Sequence, residues 1–188
     1  SIREILEGGY VYVDKTGFAQ ELIENKQRKH CFFSRPRRFG KSLFLSTLEE
    51  IFRGNKEVFK GCAIYDSDYN WQPHPVLHLD FAEIANETST ALSMGLHEAL
   101  EDLGDLHGVT VRGTSYQSKL KRLITALSKQ GQVAIFIDEY DAPLIDQLKK
   151  PEVAEENREV LRSFYKVLKS QENHIRFTFI TGITKFSQ

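Results

Sequence analysis

Cysteine is nearly absent from this chain: Cys31 and Cys62 are its only two, and they have no C-x-x-C spacing. That excludes a disulfide framework and a cysteine-built zinc cluster, and it makes a reducing compartment, the cytoplasm, the expected setting. No apolar run approaches the roughly 20 residues a bilayer-spanning helix requires. The opening residues, Ser1-Ile2-Arg3-Glu4, are charged at once, unlike a signal peptide. Neither sign of charge is in surplus. Lys and Arg number 25 against 26 Asp and Glu, for a net charge of −1. A chain that coats nucleic acid needs a basic stripe, and the only dense basic run is Arg35-Pro36-Arg37-Arg38. Direct nucleic-acid binding is therefore not expected. His74 and His78 stand four apart, but on an extended segment that is about 13 Å, too far for one metal ion. His30, His97, His107 and His174 are scattered, with surface or helix-end roles expected. Repeats, low-complexity tracts and linkers are also missing. The 188 residues, 40% hydrophobic and 27% charged, bound one domain with its own core.

What is present is chemical. Ser34-Arg35-Pro36-Arg37-Arg38-Phe39-Gly40-Lys41-Ser42 follows the apolar run Cys31-Phe32-Phe33 and precedes an apolar-periodic stretch, Leu43 to Phe52. Strand, loop and helix in that order are what a phosphate-cradling P-loop requires. The first turn of the helix offers unpaired N–H groups and the positive dipole end to an anion. Gly40 admits a phosphate close to the backbone. Lys41 brings a mobile positive charge, and the Ser42 hydroxyl suits Mg²⁺. One position departs from the G-x-x-x-x-G-K-[ST] pattern: Arg35 stands where the first glycine belongs.

A second motif follows in the required order. Val133-Ala134-Ile135-Phe136-Ile137 is an unbroken apolar run, as in a strand buried on both faces of a parallel sheet. Asp138 and Glu139 close it, at the C-terminal end where open α/β sheets bind ligands. Asp138 is assigned to the Mg²⁺ shell. Glu139, expected to point the other way on the strand, is assigned as the base or orienter of an attacking water.

The rest of the pattern alternates strands and helices. Tyr10 to Val13 reads as a short strand or extended arm. Asp14 and Thr16 cap a helix to about Glu24, with Phe18, Leu22 and Ile23 inward. A strand over 29–34 leads into the P-loop helix from Lys41 to about Arg53, closed by Gly54. Residues 55–71 form an irregular packed connection, and 75–81 a strand. Ser89 starts a helix striped with Leu92, Leu96, Leu100 and Leu103, ended by Gly104. Thr114-x-x-Gln117 fits a capping box for a helix with Leu120, Leu123, Ile124 and Leu127 inward, stopped by Gly131. Pro143 opens a short helix and Pro151 a long one that buries Val160, Leu161, Phe164, Val167 and Leu168. The last strand covers 175–181. Together these predict a three-layer α/β P-loop NTPase fold with a mainly parallel sheet. The acidic pair and the late strand favour the class in which an additional strand lies between the P-loop strand and the Asp138 strand.

Four segments together resemble the predicted AAA-ATPase-like family: Tyr12-Val13-Asp14-Lys15-Thr16, Arg35 to Ser42, Ile137-Asp138-Glu139-Tyr140-Asp141, and Phe179-Ile180-Thr181-Gly182-Ile183-Thr184-Lys185-Phe186-Ser187. That family itself uses an Arg-Pro-Arg-Arg-Phe-Gly-Lys-Ser loop, which accounts for Arg35. The resemblance implies Mg²⁺-dependent ATP binding and hydrolysis coupled to conformational change. The alternatives are a slow-turnover nucleotide-gated switch, or the ATPase part of a nucleic-acid-processing protein, since relatives often carry a C-terminal nuclease-like domain. Catalytic roles fall by the resemblance to Glu139, Lys41 and Thr181, with Thr181 as a polar sensor. Nucleotide contacts fall to Arg35, Pro36, Arg37, Arg38, Phe39, Gly40, Lys41, Ser42 and Leu43, with Val13 and Asp14 near the base. Ser42 and Asp138 are the metal ligands. No arginine outside the loop is assignable as an arginine finger. The expected organisation is a single incomplete nucleotide-binding domain over 1–188, with 1–28 as an N-terminal arm and helix. A fifth core strand and a helical lid are expected beyond it, as is a partner or oligomer contact through that C-terminal part.

Overall fold

The computed structural model describes residues 1–34 and 40–183. Four strands build one sheet: β1 (His30–Ser34), β2 (Val76–Asp80), β3 (Val133–Asp138) and β4 (Ile175–Gly182). All pairings are parallel, in the order β1-β4-β3-β2. The last strand among the described residues, β4, thus lies between β1 and the strand ending at Asp138, as the acidic pair and the late strand suggested.

Helices cover both faces. The seven α-helices among the described residues are α1 (Ile2–Glu7), α2 (Thr16–Glu24), α3 (Lys41–Phe52), α4 (Ser89–Leu106), α5 (Tyr116–Leu127), α6 (Ala142–Ile145) and α7 (Pro151–Ser170). The strand period of two sorts β3 between the layers. Val133, Ile135 and Ile137 join the core under α4, α5 and α7, while Ala134 and Phe136 join the core under α1, α2 and α3. A strand so placed has no solvent face, hence its unbroken apolar run. Phe136 is fully buried, its ring 6.0 Å from Phe52 on α3 and 6.4 Å from Phe179 on β4.

Several local readings shift. The N-terminal stretch holds a helix, α1, that was not expected; Ser1 and Glu4 form its capping box. Residues 10–15 form an extended arm with no strand pairing. Phe18 is 55% exposed rather than inward, its ring 5.7 Å from Phe44; Thr16, Ala19 and Ile23 make the buried face of α2. The α4 helix continues past Gly104 to Leu106, and the left-handed residue that follows its cap is Gly108 (φ 68°). Gly104 serves packing instead: a Cβ there would meet the Val109 carbonyl oxygen at 2.6 Å. The N-cap of α5 is Ser115, whose Oγ accepts from the Ser118 N–H at 3.1 Å, one residue beyond Thr114. His30 lies in β1 with its ring largely buried, and Nε2 meets Glu172 Oε1 at 3.1 Å. It is not a surface residue. No helix of the described residues is long and apolar enough to cross a membrane.

Truncating Phe136 to Ala removes the side chain that joins α3 to two strands. A loss of about 3–5 kcal/mol is expected for such a core aromatic. Urea unfolding of Phe136→Ala at unchanged m-value checks it; a loss below about 1 kcal/mol would place the packing of this layer elsewhere.

Candidate active site

Parallel strands end on the same side of a sheet, so β1, β4 and β3 deliver Ser34, Thr181 and Asp138 to one rim. Gly40 precedes α3 with φ 69°, ψ 16°, a left-handed conformation that a side chain would strain. That turn sets Lys41 as the first residue of α3, pointing back along the sheet rim.

The Lys41 ammonium meets both acids of the second motif. Nζ lies 2.9 Å from Asp138 Oδ1 and 2.5 Å from Glu139 Oε1. All three side chains are largely withdrawn from water: 9% of Lys41, 16% of Asp138 and 13% of Glu139 remains exposed. The sequence expectation that Glu139 points away from Asp138 is corrected here. The strand stops at Asp138, and Glu139 turns with φ 50°, the only non-glycine positive φ among the described residues. Alternation applies only inside a strand; this left-handed residue brings the second carboxylate back beside the first. Such backbone is costly and persists where the surroundings hold it.

Thr181 supplies part of that hold. Its hydroxyl donates to Asp138 Oδ1 and accepts the Glu139 N–H at 3.2 Å, and its carbonyl accepts the Tyr140 N–H at 2.9 Å. Behind it, Asp141 Oδ2 accepts the Ile183 N–H at 2.9 Å, and Gly182 packs so tightly that an added Cβ would meet the Asp141 carboxylate at 3.0 Å.

The electrostatics follow. Burial pushes the Asp138 carboxyl upward, but the Thr181 hydroxyl and the Lys41 ammonium outweigh it and hold the group below the ordinary 3.8. Burial likewise disfavours the Lys41 ammonium, and the hydrogen bonds it donates to Glu139 and Asp138 reverse this, raising it above its usual value. Among the described residues, two carboxylates here face one ammonium, a local surplus of negative charge. The neighbouring Asp80, paired in register with Asp138 across β2 and β3, feels it: burial first, then Asp138, Glu83 and Glu139, raise its carboxyl despite the Ala82 N–H bond. Asp80 was missed in the sequence; its signal was its place as the acidic last residue of a strand, like Asp138. On the same strand His78 Nδ1 meets Glu49 Oε1 of α3 at 2.6 Å.

Ser42 is exposed at the second position of α3. Leu43 and Val13 line a cleft of about 240 Å³ beside Gly40, together with Tyr12, Lys15 and Phe44. Asp14 stands apart from that cleft. Its Oδ1 accepts the Thr16 N–H and hydroxyl at 2.8 and 2.6 Å, and its Oδ2 accepts the Ala63 N–H at 2.7 Å. Arg35, Pro36, Arg37, Arg38 and Phe39 lie outside the described residues, as do Thr184 to Ser187. The Asp138 carboxylate and the Ser42 hydroxyl are oxygen donors of the kind a small hard cation such as Mg²⁺ takes.

Replacing Thr181 by Val removes the hydroxyl that lowers the Asp138 carboxyl. A carboxyl titrating lower when folded than unfolded stabilises the fold above about pH 4, and that contribution is lost as pH falls through the folded value. In Thr181→Val the Asp138 titration, followed by carboxyl NMR, is expected to move upward, with a stability loss of about 1–3 kcal/mol at neutral pH. An unmoved titration would remove Thr181 from the network.

Two comparisons bear on this geometry. The "Uncharacterized protein in vnfD 5'region" of Azotobacter chroococcum mcd 1 is 41% identical over 189 residues, covering 98% of this chain and 36% of that protein. The chain therefore spans little more than a third of that relative's length. A family model for AAA-ATPase-like proteins, described as predicted AAA-ATPase, matches residues 1–188 from end to end. The chain belongs to the AAA-ATPase-like family.

Proposed function

We propose that this chain binds ATP with Mg²⁺ and hydrolyses it, using the cycle to change its own conformation. The observation that carries the reading is the convergence of Lys41, Asp138 and Glu139 at one rim of the sheet. Lys41 is the cation for the terminal phosphates, and the N–H groups of the first turn of α3 share that load. Ser42 and Asp138 would hold Mg²⁺, which supplies charge neutralisation on the phosphates when bound. The cleft beside Gly40, walled by Val13 and Leu43, suits the base. Asp14, on this reading, braces the arm that carries Val13 and does not touch the nucleotide.

The resting contacts supply the coupling. Lys41 cannot serve the phosphates fully while it holds Glu139. A triphosphate draws the ammonium away, and the released Glu139 carboxylate can then accept the proton of an attacking water. The water oxygen bonds to the γ-phosphorus as the bond to the ADP oxygen breaks, giving ADP and phosphate. Thr181, bonded to both Asp138 and the Glu139 backbone, reports the occupancy of the site to β4.

Glu139→Gln keeps the shape and removes the base. Turnover should fall about 100-fold or more, with ATP affinity within a few fold of the parent, read by phosphate release and by titration calorimetry. Undiminished hydrolysis by Glu139→Gln would contradict the assignment. Tight ATP binding with negligible phosphate release by the unaltered chain would instead favour the nucleotide-gated switch, which the Lys41–Glu139 contact also suits.

A further inference from the structure

At the other end of the sheet, where the strands begin, lies a second and larger cleft of about 590 Å³. Its size is that of a small-molecule site, about 300–1,000 Å³. The end of α2, the 25–29 connection, the residue before β3 and the start of β4 wall it, contributing Glu24, Lys26, Arg28, Lys29, Gln132 and Arg176. Four of these are cations and one is an acid. Elsewhere partly buried cations meet carboxylates: Arg3 with Glu50, Lys41 with Asp138 and Glu139, Lys119 with Glu101. Among the described residues no carboxylate lies within ion-pair distance of Lys26, Arg28, Lys29 or Arg176.

Two of the four are fixed in place by neutral partners. Lys29 Nζ donates to the Glu172 carbonyl at 2.7 Å. Arg176 Nη2 donates to the Ile23 carbonyl at 3.1 Å, with its guanidinium 5.7 Å from the centre of the Phe52 ring. A carbonyl orients a cation without cancelling its charge. The other two, Lys26 and Arg28, are exposed on a turn that Asn25 shapes: its side chain accepts the Gln27 N–H and its carbonyl the Arg28 N–H, both at 3.1 Å. The one acid is drawn along its own helix, since Glu24 Oε1 accepts from Gln20 at 3.2 Å. Like charges in a concave, low-dielectric wall focus a positive field. In a chain of net charge −1 this concentration is local and unbalanced.

The geometry points to a second anion site, separate from the Lys41 pocket, that takes a compact ligand bearing two or more phosphate groups. Arginine and lysine together match that chemistry, the one by its planar fork and the other by a point charge. A nucleic-acid strand fits less well, because the cations converge on a cleft and, among the described residues, no aromatic side chain lines it for base stacking. Arg176 and Thr181 are five residues apart on β4, about 17 Å along a strand, so one small ligand cannot touch both sites.

Inorganic pyrophosphate is the probe, titrated into the ¹⁵N-labelled chain and into a Lys26→Gln/Arg28→Gln variant. Both changes fall on exposed positions outside the Lys41 pocket. Saturable amide shifts are expected at Asn25 to Lys29 and Gln132, weakened about tenfold or more in the variant, while any response at Gly40 to Ser42 stays equal in the two proteins. Shifts confined to Gly40–Ser42, or equal affinity in the variant, would overturn the proposal. So would displacement of pyrophosphate by a single-stranded oligonucleotide that binds more tightly. The two sites are read separately: a silent Lys41 pocket would count against the ATP reading and leave this one standing.

Discussion

Two carboxylates side by side in a place largely closed to water repel each other and favour protonation unless a cation lies between them. Lys41 is that cation, and the local structure depends on its position. Gly40 must turn left-handed to start α3 at Lys41, Glu139 must turn left-handed to bring its carboxylate back, and Thr181 must stand between β1 and β3 to tie Asp138 to the Glu139 backbone. Removing Lys41 would leave two buried carboxylates with no cation between them, so both acids depend on it. On the proposed reading, the same arrangement holds Lys41 ready for a stronger anion: a triphosphate would compete for the ammonium and free an acid as it binds.

The fold makes this convergence possible by topology. Placing β4 between β1 and β3 separates the phosphate helix from the acidic strand by one strand, and the gap is what the length of the lysine side chain and the hydroxyl of Thr181 fill. Of the strands that reach the rim, β3 and β4 are buried almost throughout, while β1 lies at the sheet edge and is partly exposed. At the far rim the same strands begin, and there four cations and one acid, Glu24, line a cleft. Among the described residues, acids gather at one end of the sheet, at Asp138, Glu139 and Asp80, and cations at the other, Arg28 and Arg176 among them.

Much of this was legible in the sequence because it is periodic or local. The unbroken run Val133–Ile137, the stripe Leu92-Leu96-Leu100, and Pro151 at a helix start each express a backbone rule that acts over a few residues. Strand order was legible too, from the acidic pair and the late strand. Three things were not. Phe18 follows the helical stripe yet faces outward, because α2 packs through the small Ala19 and through Thr16. Gly104 looks like a helix stop but is a packing contact with the 109–111 segment, which depends on how the chain folds back after α4 and not on helix periodicity. The direction of Glu139 depends on one left-handed residue at a strand end, where alternation no longer applies. The basic cleft was invisible for the same reason: Lys26 and Arg176 are distant in the chain and meet only in the fold.

The account rests on Lys41 moving from carboxylate to phosphate. Titration calorimetry of ATP with Mg²⁺, on the chain and on Lys41→Met, tests this most directly. One saturable site is expected in the chain, weakened by about 100-fold or more in the variant, as befits loss of a charged contact in a partly buried pocket. Equal affinity in Lys41→Met, or no saturable site in the parent, would contradict it.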